Sequence, residues 1–257
     1  MLDVLRLPMT KEILAKMTPE ERSLFLLLGY ASNQVNALWK LVIIATNHTP
    51  EHPVEQRVSG AQTQIFVRLT IGAMREAWVL VERGFLKSKV GKEYLPLLDA
   101  NGRAGLERLK KRFGASNPLA TIRNNFAFHH PTMEQMEAAF RMATKNKDSE
   151  ETDWSVFFNK ALLNTFFFVS DYVMVHAVTQ ALNETDVNVA HEKLLGELAP
   201  IAADLSEFTF GFAAAIFKRY INDKELLMTL VAQFADAPDI DTPRLPFYVE
   251  TPGLRNS

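Results

Sequence analysis

Apolar residues recur along most of this chain at intervals of three and four positions, which is the period of an amphipathic helix. The longest pattern of this kind follows Thr18, Pro19 and Glu21. A threonine cap, a proline at the first helical position and a glutamate at the third are a typical helix start. Alternation at period two, which marks a half-buried strand, is hard to find. The pattern therefore predicts an all-α fold.

Two long helices dominate the first third of the predicted fold. The first covers residues 19–47, and the second begins at residue 54 or 62 and ends at residue 87. Pro50 and Pro53 leave only a short turn between them, so we expect the pair to pack antiparallel in a helical bundle. Additional packed helices are predicted at about residues 10–17, 92–102, 103–114, 118–130, 132–144, 156–182 and 187–221.

The predicted helices are expected to form a single domain over residues 1–257, because the loops between them are short. The chain has no internal repeat and no low-complexity tract. The charged stretch at residues 145–153 is the only candidate for a domain boundary. Residues 235–257 contain four prolines and are expected to form an extended C-terminal arm. Phe247 and Tyr248 would dock this arm on the bundle or on a partner.

The charge balance and the absence of cysteine limit the classes of function. Lysine and arginine number 28 against 30 acidic residues, a formal net charge of -2, so we expect no dedicated DNA-binding protein. The lack of cysteine excludes disulfides, thiolate metal sites and cysteine nucleophiles. Charges interrupt the N-terminus, and the apolar runs are too short or too polar to span a bilayer. We therefore expect a cytoplasmic protein without membrane contact.

Four of the six histidines are expected to have structural roles. His48 and His52 are four residues apart, but Pro50 lies between them, which favours a polar loop over a metal-binding helix face. His176 lies within an apolar helix and is interpreted as a buried, hydrogen-bonded side chain. His191 lies near a helix start and is expected to be exposed. We expect no metal site and no bound cofactor.

Charged residues also recur on one side of the second long helix. The residues that recur on this side are Arg68, Gly72, Arg75 and Glu82, and residues of opposite sign stand beside Arg75 and Glu82. We interpret them as an internal ion-pair ladder, and the alternative is an electropositive strip.

The segment IRNNFAFHHP, residues 122–131, places an arginine and two histidines on a core helix. The core-facing stripe consists of Leu119, Ile122, Phe126 and His129, and a second stripe of Arg123, Ala127 and His130 lies about 100° round the helix. On a regular helix His130 therefore shares a face with Arg123, although Pro131 disfavours a helical conformation of His130. The structural alternative is a helix end in which histidines interact with the last carbonyls.

Arginine and histidine can cleave RNA without a metal, a cysteine or a cofactor. A histidine near neutral pKa takes the proton of a ribose 2′-hydroxyl or delivers one to the leaving 5′-oxygen. A guanidinium holds the phosphate as negative charge develops on it. A symmetric dimer would bring two such sets together and supply both an acid and a base.

Arg123-Asn124 followed by His129 and His130 resembles the signature of the HEPN superfamily, since five and six residues separate Arg123 from the two histidines. The resemblance implies a bundle built on two long antiparallel helices, homodimers whose motifs face one another, and metal-independent cleavage of single-stranded RNA. It assigns phosphate binding to Arg123, orientation to Asn124 and acid–base catalysis to His129 or His130. Family spacing favours His129, and helical geometry favours His130.

Two other classes of function stay open on the sequence. A helical interaction or regulatory protein could use the same bundle and dimer surface without catalysis. A small-molecule or lipid-binding domain is suggested by the phenylalanine-rich segment at residues 165–178, although such residues commonly form a core.

Overall fold

Helices make up most of the structure, so the predicted all-α bundle is confirmed. The computed structural model describes residues 2–7, 9–114, 118–128, 130–145, 154–159, 164–221 and 229–250. The helices of this described part are α1 (Lys11–Lys16), α2 (Pro19–Thr46), α3 (Pro53–Leu80), α4 (Lys89–Tyr94), α5 (Ala100–Gly114), α6 (Pro118–Ile122), α7 (Met133–Lys145), α8 (Phe168–Ala181) and α9 (Val187–Tyr220). The π-helical turn Val81–Leu86 continues α3, and the π-helical turn Arg123–Ala127 continues α6.

The predicted start of the first long helix is confirmed in atomic detail. The backbone N–H of Glu21 donates to Thr18 Oγ1 at 3.3 Å, and the N–H of Thr18 donates to Glu21 Oε2 at 2.8 Å. This reciprocal capping box satisfies two donors that a helix end would otherwise leave without partners. Local sequence chemistry therefore decides where α2 begins.

The two long helices α2 and α3 run antiparallel, as predicted. Near the turn between them, Thr63 Oγ1 donates to the carbonyl of Ala45 at 3.3 Å. Farther from the turn, a methyl group added to Gly84 would lie 3.1 Å from Leu24 Cδ1. Early residues of α2 thus lie beside late residues of the α3 segment, which is the order that antiparallel packing requires.

A small two-stranded sheet is the element that the hydrophobic pattern did not predict. Strand β1 (Leu2–Arg6) pairs antiparallel with β2 (Thr229–Phe234), and Leu2 lies opposite Phe234. Most of their described side chains are exposed, so neither strand needs an apolar face. Without a buried face there is no period-two signal to detect, and only long-range backbone pairing forms the sheet.

The chain forms two compact units, each assembled from three separate stretches. Unit 1 contains Met1–Ala37, Ala73–Asn117 and Ala199–Asp239, and unit 2 contains Leu38–Gly72, Pro118–Leu198 and Ile240–Ser257. In the core of unit 1, the ring of Phe85 packs edge-on against Phe208 and Phe212 at centroid distances of 5.0 and 5.6 Å. Unit 2 buries Phe166 against α3, and α7 packs on α8. The predicted single domain stays a prediction, and residues 146–153 of its candidate boundary lie outside the described residues.

The predicted aromatic helix at residues 156–182 is wrong in its first half. Helix α8 begins at Phe168, whereas the described residues before it are non-helical. Phe157 and Phe166 exchange two backbone hydrogen bonds of 2.8 Å in an isolated antiparallel bridge. A run of phenylalanines fits an extended segment as well as a helix, and packing against Val58 and Ala61 selects the extended form. Residues 160–163 of this predicted helix lie outside the described residues.

The described part of the predicted C-terminal arm, residues 235–250, contains no helix or strand, and it docks on unit 2. Residues 251–257 of the arm lie outside the described residues. The side-chain amide of Asn164 donates to the carbonyl of Val249 at 2.7 Å and accepts from its N–H at 3.2 Å. The ring of Phe247 packs edge-on against Phe166 at a centroid distance of 5.0 Å. One buried asparagine thus replaces the strand partner that the arm lacks.

Replacing Asn164 by alanine should release the arm, because it leaves both backbone groups of Val249 without their partner. We expect unit 2 to lose about 1–3 kcal/mol of stability and the amide of Val249 to lose its protection from hydrogen exchange. Asn33→Ala, at an exposed position of α2, should leave that protection unchanged. Equal protection of Val249 in both variants would show that Asn164 does not hold the arm.

Helix α9 is the one described helix with the length and composition to cross a membrane. Its most apolar window has a mean hydropathy of 1.2, and half of that window is buried inside the structure. Leu198, Ile201, Phe208 and Ile216 are among the fully buried residues of this helix. Such burial is compatible with the core helix of a soluble protein.

Candidate functional site

The helix that carries the HEPN-like motif is anchored by its apolar stripe. Leu119, Ile122 and Phe126 are all buried, as the sequence predicted. Helix α6 packs against α8 within unit 2. The stripe holds the segment in the core, and residues on its other side remain available for chemistry.

The regular helix on which the two-stripe interpretation depended ends at Ile122. Residues Arg123–Ala127 form a π-helical turn, in which each N–H bonds five residues back instead of four, and Phe128 lies in a bend beyond it. The spacing of 100° per residue therefore does not extend to the histidines. The geometric reason for pairing Arg123 with His130 was wrong, and no new geometric preference replaces it.

Two of the four predicted site residues are in direct contact. Arg123 Nη1 donates to Asn124 Oδ1 at 2.7 Å, so the asparagine orients the guanidinium. His130 is exposed in the segment between the π-helical turn and α7. His129 lies outside the described residues. The structure thus brings Arg123 and Asn124 together and places His130 at the surface.

Gly72 of α3 lies against the end of the π-helical turn. A methyl group at Gly72 would lie 2.6 Å from Phe128 Cε2 and 3.0 Å from Ala127 Cβ, so the half-exposed ring of Phe128 would have to move. In the sequence, Gly72 stood out only because it recurs with Arg68, Arg75 and Glu82 on one side of the helix. Its contact with the motif segment is visible only in the tertiary structure.

A second candidate site lies in a cleft of unit 2, about 870 Å³ in volume, which we call the α8 cleft. It is lined by the neighbouring ends of α3, α8 and α9 and by the loops before α3 and α9. Its lining residues include Gly60, Gln64, Phe168, Asp171, His176 and His191. Its volume is in the range of small-molecule sites.

Asp171, which lines the α8 cleft, belongs to a largely buried ion pair with Arg68. Arg68 Nη2 donates to Asp171 Oδ1 at 2.8 Å, and the two side chains are 10% and 19% exposed. Arg68 Nη1 is also buried and has no hydrogen-bond partner among the described residues. Arg68 was predicted to belong to an ion-pair ladder within α3. That prediction was wrong, because its partner comes from α8.

His176 also lines the α8 cleft and is 2% exposed. The prediction of burial is confirmed, but the prediction of a hydrogen bond is wrong for Nε2, which has no partner among the described residues. The ring contacts Tyr172 edge-on at a centroid distance of 4.9 Å. Burial lowers the pKa of His176, so the ring is neutral at neutral pH.

His191 was expected to be exposed, and it is half-buried instead. Gln64 Nε2 lies 2.8 Å from His191 Nδ1. Burial lowers the pKa of His191, against a smaller opposing effect of Glu192. Because the amide nitrogen of Gln64 can only donate, Nδ1 accepts, and the single proton of the neutral ring lies on Nε2. His191 therefore offers an N–H donor.

The sequence contained one signal for this cleft. Asp171 interrupts an apolar, phenylalanine-rich helix, and a buried carboxylate requires a cationic or hydrogen-bonding partner. The identity of the partner was not predictable, because Arg68 lies 103 residues earlier in the chain. The same holds for Gln64 and His191, which are 127 residues apart.

The loop between α2 and α3 has the character that the sequence predicted. His48, Pro50 and His52 are non-helical, and His52 Nδ1 accepts the N–H of Val54 at 3.2 Å. Within the described ranges, no three histidine, aspartate or glutamate side chains cluster as metal ligands. Comparison with protein-family models, with curated proteins and with solved structures finds no match for this chain, so its function is inferred from its own side chains.

Proposed function

We propose that the protein is a HEPN-like, metal-independent endoribonuclease that cleaves single-stranded RNA. The observation that carries this proposal is the 2.7 Å hydrogen bond from Arg123 to Asn124. It orients a guanidinium at the end of a buried helix, next to a segment that carries two histidines. Two long antiparallel helices precede this motif, which is the layout that the HEPN resemblance implies.

In the proposed reaction, the ribose 2′-oxygen attacks the adjacent phosphorus and the bond to the 5′-oxygen breaks. One histidine accepts the 2′-hydroxyl proton, and a second histidine protonates the leaving 5′-oxygen. Arg123 forms two charge-assisted hydrogen bonds to the phosphate as negative charge develops. The products are a 2′,3′-cyclic phosphate and a 5′-hydroxyl.

A homodimer is part of the proposal because the reaction needs an acid and a base. His129 and His130 are adjacent in the sequence. A second copy related by a two-fold axis would supply the histidine that acts from the opposite side of the phosphate. Asn124 keeps the guanidinium aimed at the phosphate in each copy. Sedimentation at several protein concentrations measures whether the dimer forms.

The test is cleavage of a labelled single-stranded RNA in the presence of EDTA. Wild type should release fragments with 2′,3′-cyclic phosphate ends, and Arg123→Ala should lower the rate about 100-fold or more. His129→Ala and His130→Ala, assayed separately, identify the acid–base residue, which should cost about 100-fold to 10,000-fold. Asn124→Ala should have a smaller effect, because it only orients Arg123.

Arg141→Ala and His52→Ala are the matched controls. Arg141 is an exposed arginine on α7 that interacts with Glu137, and His52 is an exposed histidine in the loop before α3. Both should cleave RNA at the wild-type rate. Absence of cleavage by wild type, or equal cleavage by Arg123→Ala, would overturn the proposal. Unfolding of the motif variants in circular dichroism would assign these residues a structural role.

A non-catalytic interaction role is the second candidate. Phe158 and Phe167 are 78% and 57% exposed, and their rings pack edge-on at a centroid distance of 6.4 Å. Exposed aromatic pairs of this kind are typical of protein interaction surfaces. A dimer that is lost in Phe158→Ser, together with no RNA cleavage by wild type, would favour this second function.

A further inference from the structure

The walls of the α8 cleft leave space for a flat ring. Gly60 and Ala61 line it from α3, and a methyl group added to Gly60 would meet no atom within 4 Å. Phe168 and Tyr172, four residues apart on one face of α8, also line it. A cleft lined by both small residues and aromatic rings is suited to binding of a planar heteroaromatic group.

The charges around the cleft balance, which disfavours a strongly anionic or cationic ligand. Asp171 is paired with Arg68, and Asp186 caps α9 by accepting the N–H groups of Asn188 and Val189. Arg57 is the other charged residue among the lining groups. A cleft with paired charges provides no net field for a free phosphate or a metal ion.

The hydrogen-bonding groups of the cleft match the polar edge of an uncharged heterocyclic ring. The carboxylate of Asp171 is an acceptor, and His191 offers an N–H donor at Nε2 because Gln64 occupies Nδ1. Amide-like ring edges carry N–H donors beside carbonyl acceptors and need both kinds of partner. The lining residue His176 has a buried Nε2 atom without a hydrogen-bond partner among the described residues. Native proteins have few such groups, and each calls for an explanation such as a functional site.

We propose that the α8 cleft binds a nucleobase or nucleoside, with the ring beside Gly60 and the aromatic residues of α8 and its edge toward Asp171 and His191. This site uses none of the residues assigned to RNA cleavage. A nucleoside has no phosphodiester bond, so its binding can be measured whether or not the protein cleaves RNA.

The test is calorimetric titration of the full-length protein with adenosine, guanosine, cytidine and uridine. At least one nucleoside should bind with a dissociation constant below about 1 mM. Gly60→Leu should weaken this binding about tenfold or more, because its side chain fills the open space of the cleft. His191→Ala should weaken it by a similar factor, and Arg123→Ala should leave it unchanged.

Matched controls separate occupation of the cleft from general effects. Gly29→Leu introduces the same side chain on α2, where an added methyl group also meets nothing within 4 Å, and should not change nucleoside binding. Inorganic phosphate serves as the competing probe. The proposal fails if no nucleoside binds, if phosphate alone binds, or if Gly60→Leu binds as wild type does while its thermal unfolding is unchanged.

Discussion

Replacing Gly91 by alanine is expected to destabilise the protein by about 3 kcal/mol or more, at the upper end of the range for overpacking. The added methyl group would overlap the carbonyl oxygen of Phe85, and its neighbouring carbonyl carbon would be 2.6 Å away. Both are backbone atoms, so no side-chain rotation relieves the overlap. Phe85 is fully buried, and its displacement would disturb the aromatic packing of unit 1.

Gly29→Ala is the matched control for this substitution. Gly29 lies within α2, and its added methyl group meets no atom within 4 Å. The exchange should stabilise the protein by about 0.5–1 kcal/mol, because alanine has the higher helix propensity. Urea unfolding of the two variants measures the difference. Equal stabilities would show that the chain can separate Gly91 from Phe85 at little cost.

Glu21→Gln is expected to lower the free energy of unfolding by about 2–3 kcal/mol at neutral pH. Glu21 is 2% exposed, and its carboxylate accepts from the hydroxyls of Tyr94 and Tyr220 at 2.7 and 2.6 Å as well as from the N–H of Thr18. Glutamine has one acceptor oxygen, and its amide group would face a hydroxyl donor. The exchange therefore leaves buried donors without acceptors.

The same carboxylate should make the stability depend on pH. Burial raises the pKa of Glu21, but hydrogen bonds from Tyr220, Tyr94 and Thr18 outweigh it and lower the pKa from 4.5 to about 2. The Glu21 carboxylate therefore binds a proton less readily in the folded state than in the unfolded state. Its contribution, about 3 kcal/mol, is present above pH 4.5 and is lost as the pH falls toward 2.

Urea unfolding between pH 2 and pH 7 tests both parts of this prediction. The wild-type protein should lose more stability over the acidic part of the range than Glu21→Gln, in which the titrating group is absent. Glu20→Gln, at an exposed position of the same helical turn, removes an equal charge and should stay within about 0.5 kcal/mol of wild type at neutral pH. If Glu21→Gln retains the full acid dependence of wild type, the carboxylate does not have the assigned role.

The motif segment shows how far helical periodicity predicts a site. The buried stripe of Leu119, Ile122 and Phe126 follows from spacing alone, because burial of apolar area favours that face. The π-helical turn at Arg123–Ala127 does not follow from spacing. It lies where Phe128 approaches Gly72, and these two residues are far apart in the chain. Periodicity could therefore place Arg123 beside the buried stripe, but it could not select between His129 and His130 as the proposed partner of Arg123.

For the α8 cleft, the local sequence pattern did not predict that a binding site exists. Asp171 and His176 were visible as polar interruptions of an apolar helix, but the sequence did not distinguish a core from a cleft wall. That distinction depends on which helix packs opposite. Gly60 and Ala61 leave space there, whereas larger residues at the same positions of α3 would close it.

By itself, the sequence determined the all-α class, the two long antiparallel helices, the capping box of Thr18 and Glu21 and the non-helical character of residues 235–250. These features depend on contacts within a few residues or on a regular apolar face, so local chemistry specifies them. Only the tertiary structure decided the pairing of β1 with β2, the partner of Asp171 and the second role of Glu21 as acceptor for Tyr94 and Tyr220. These contacts join residues far apart in the chain, and no local pattern encodes which distant donor meets which acceptor.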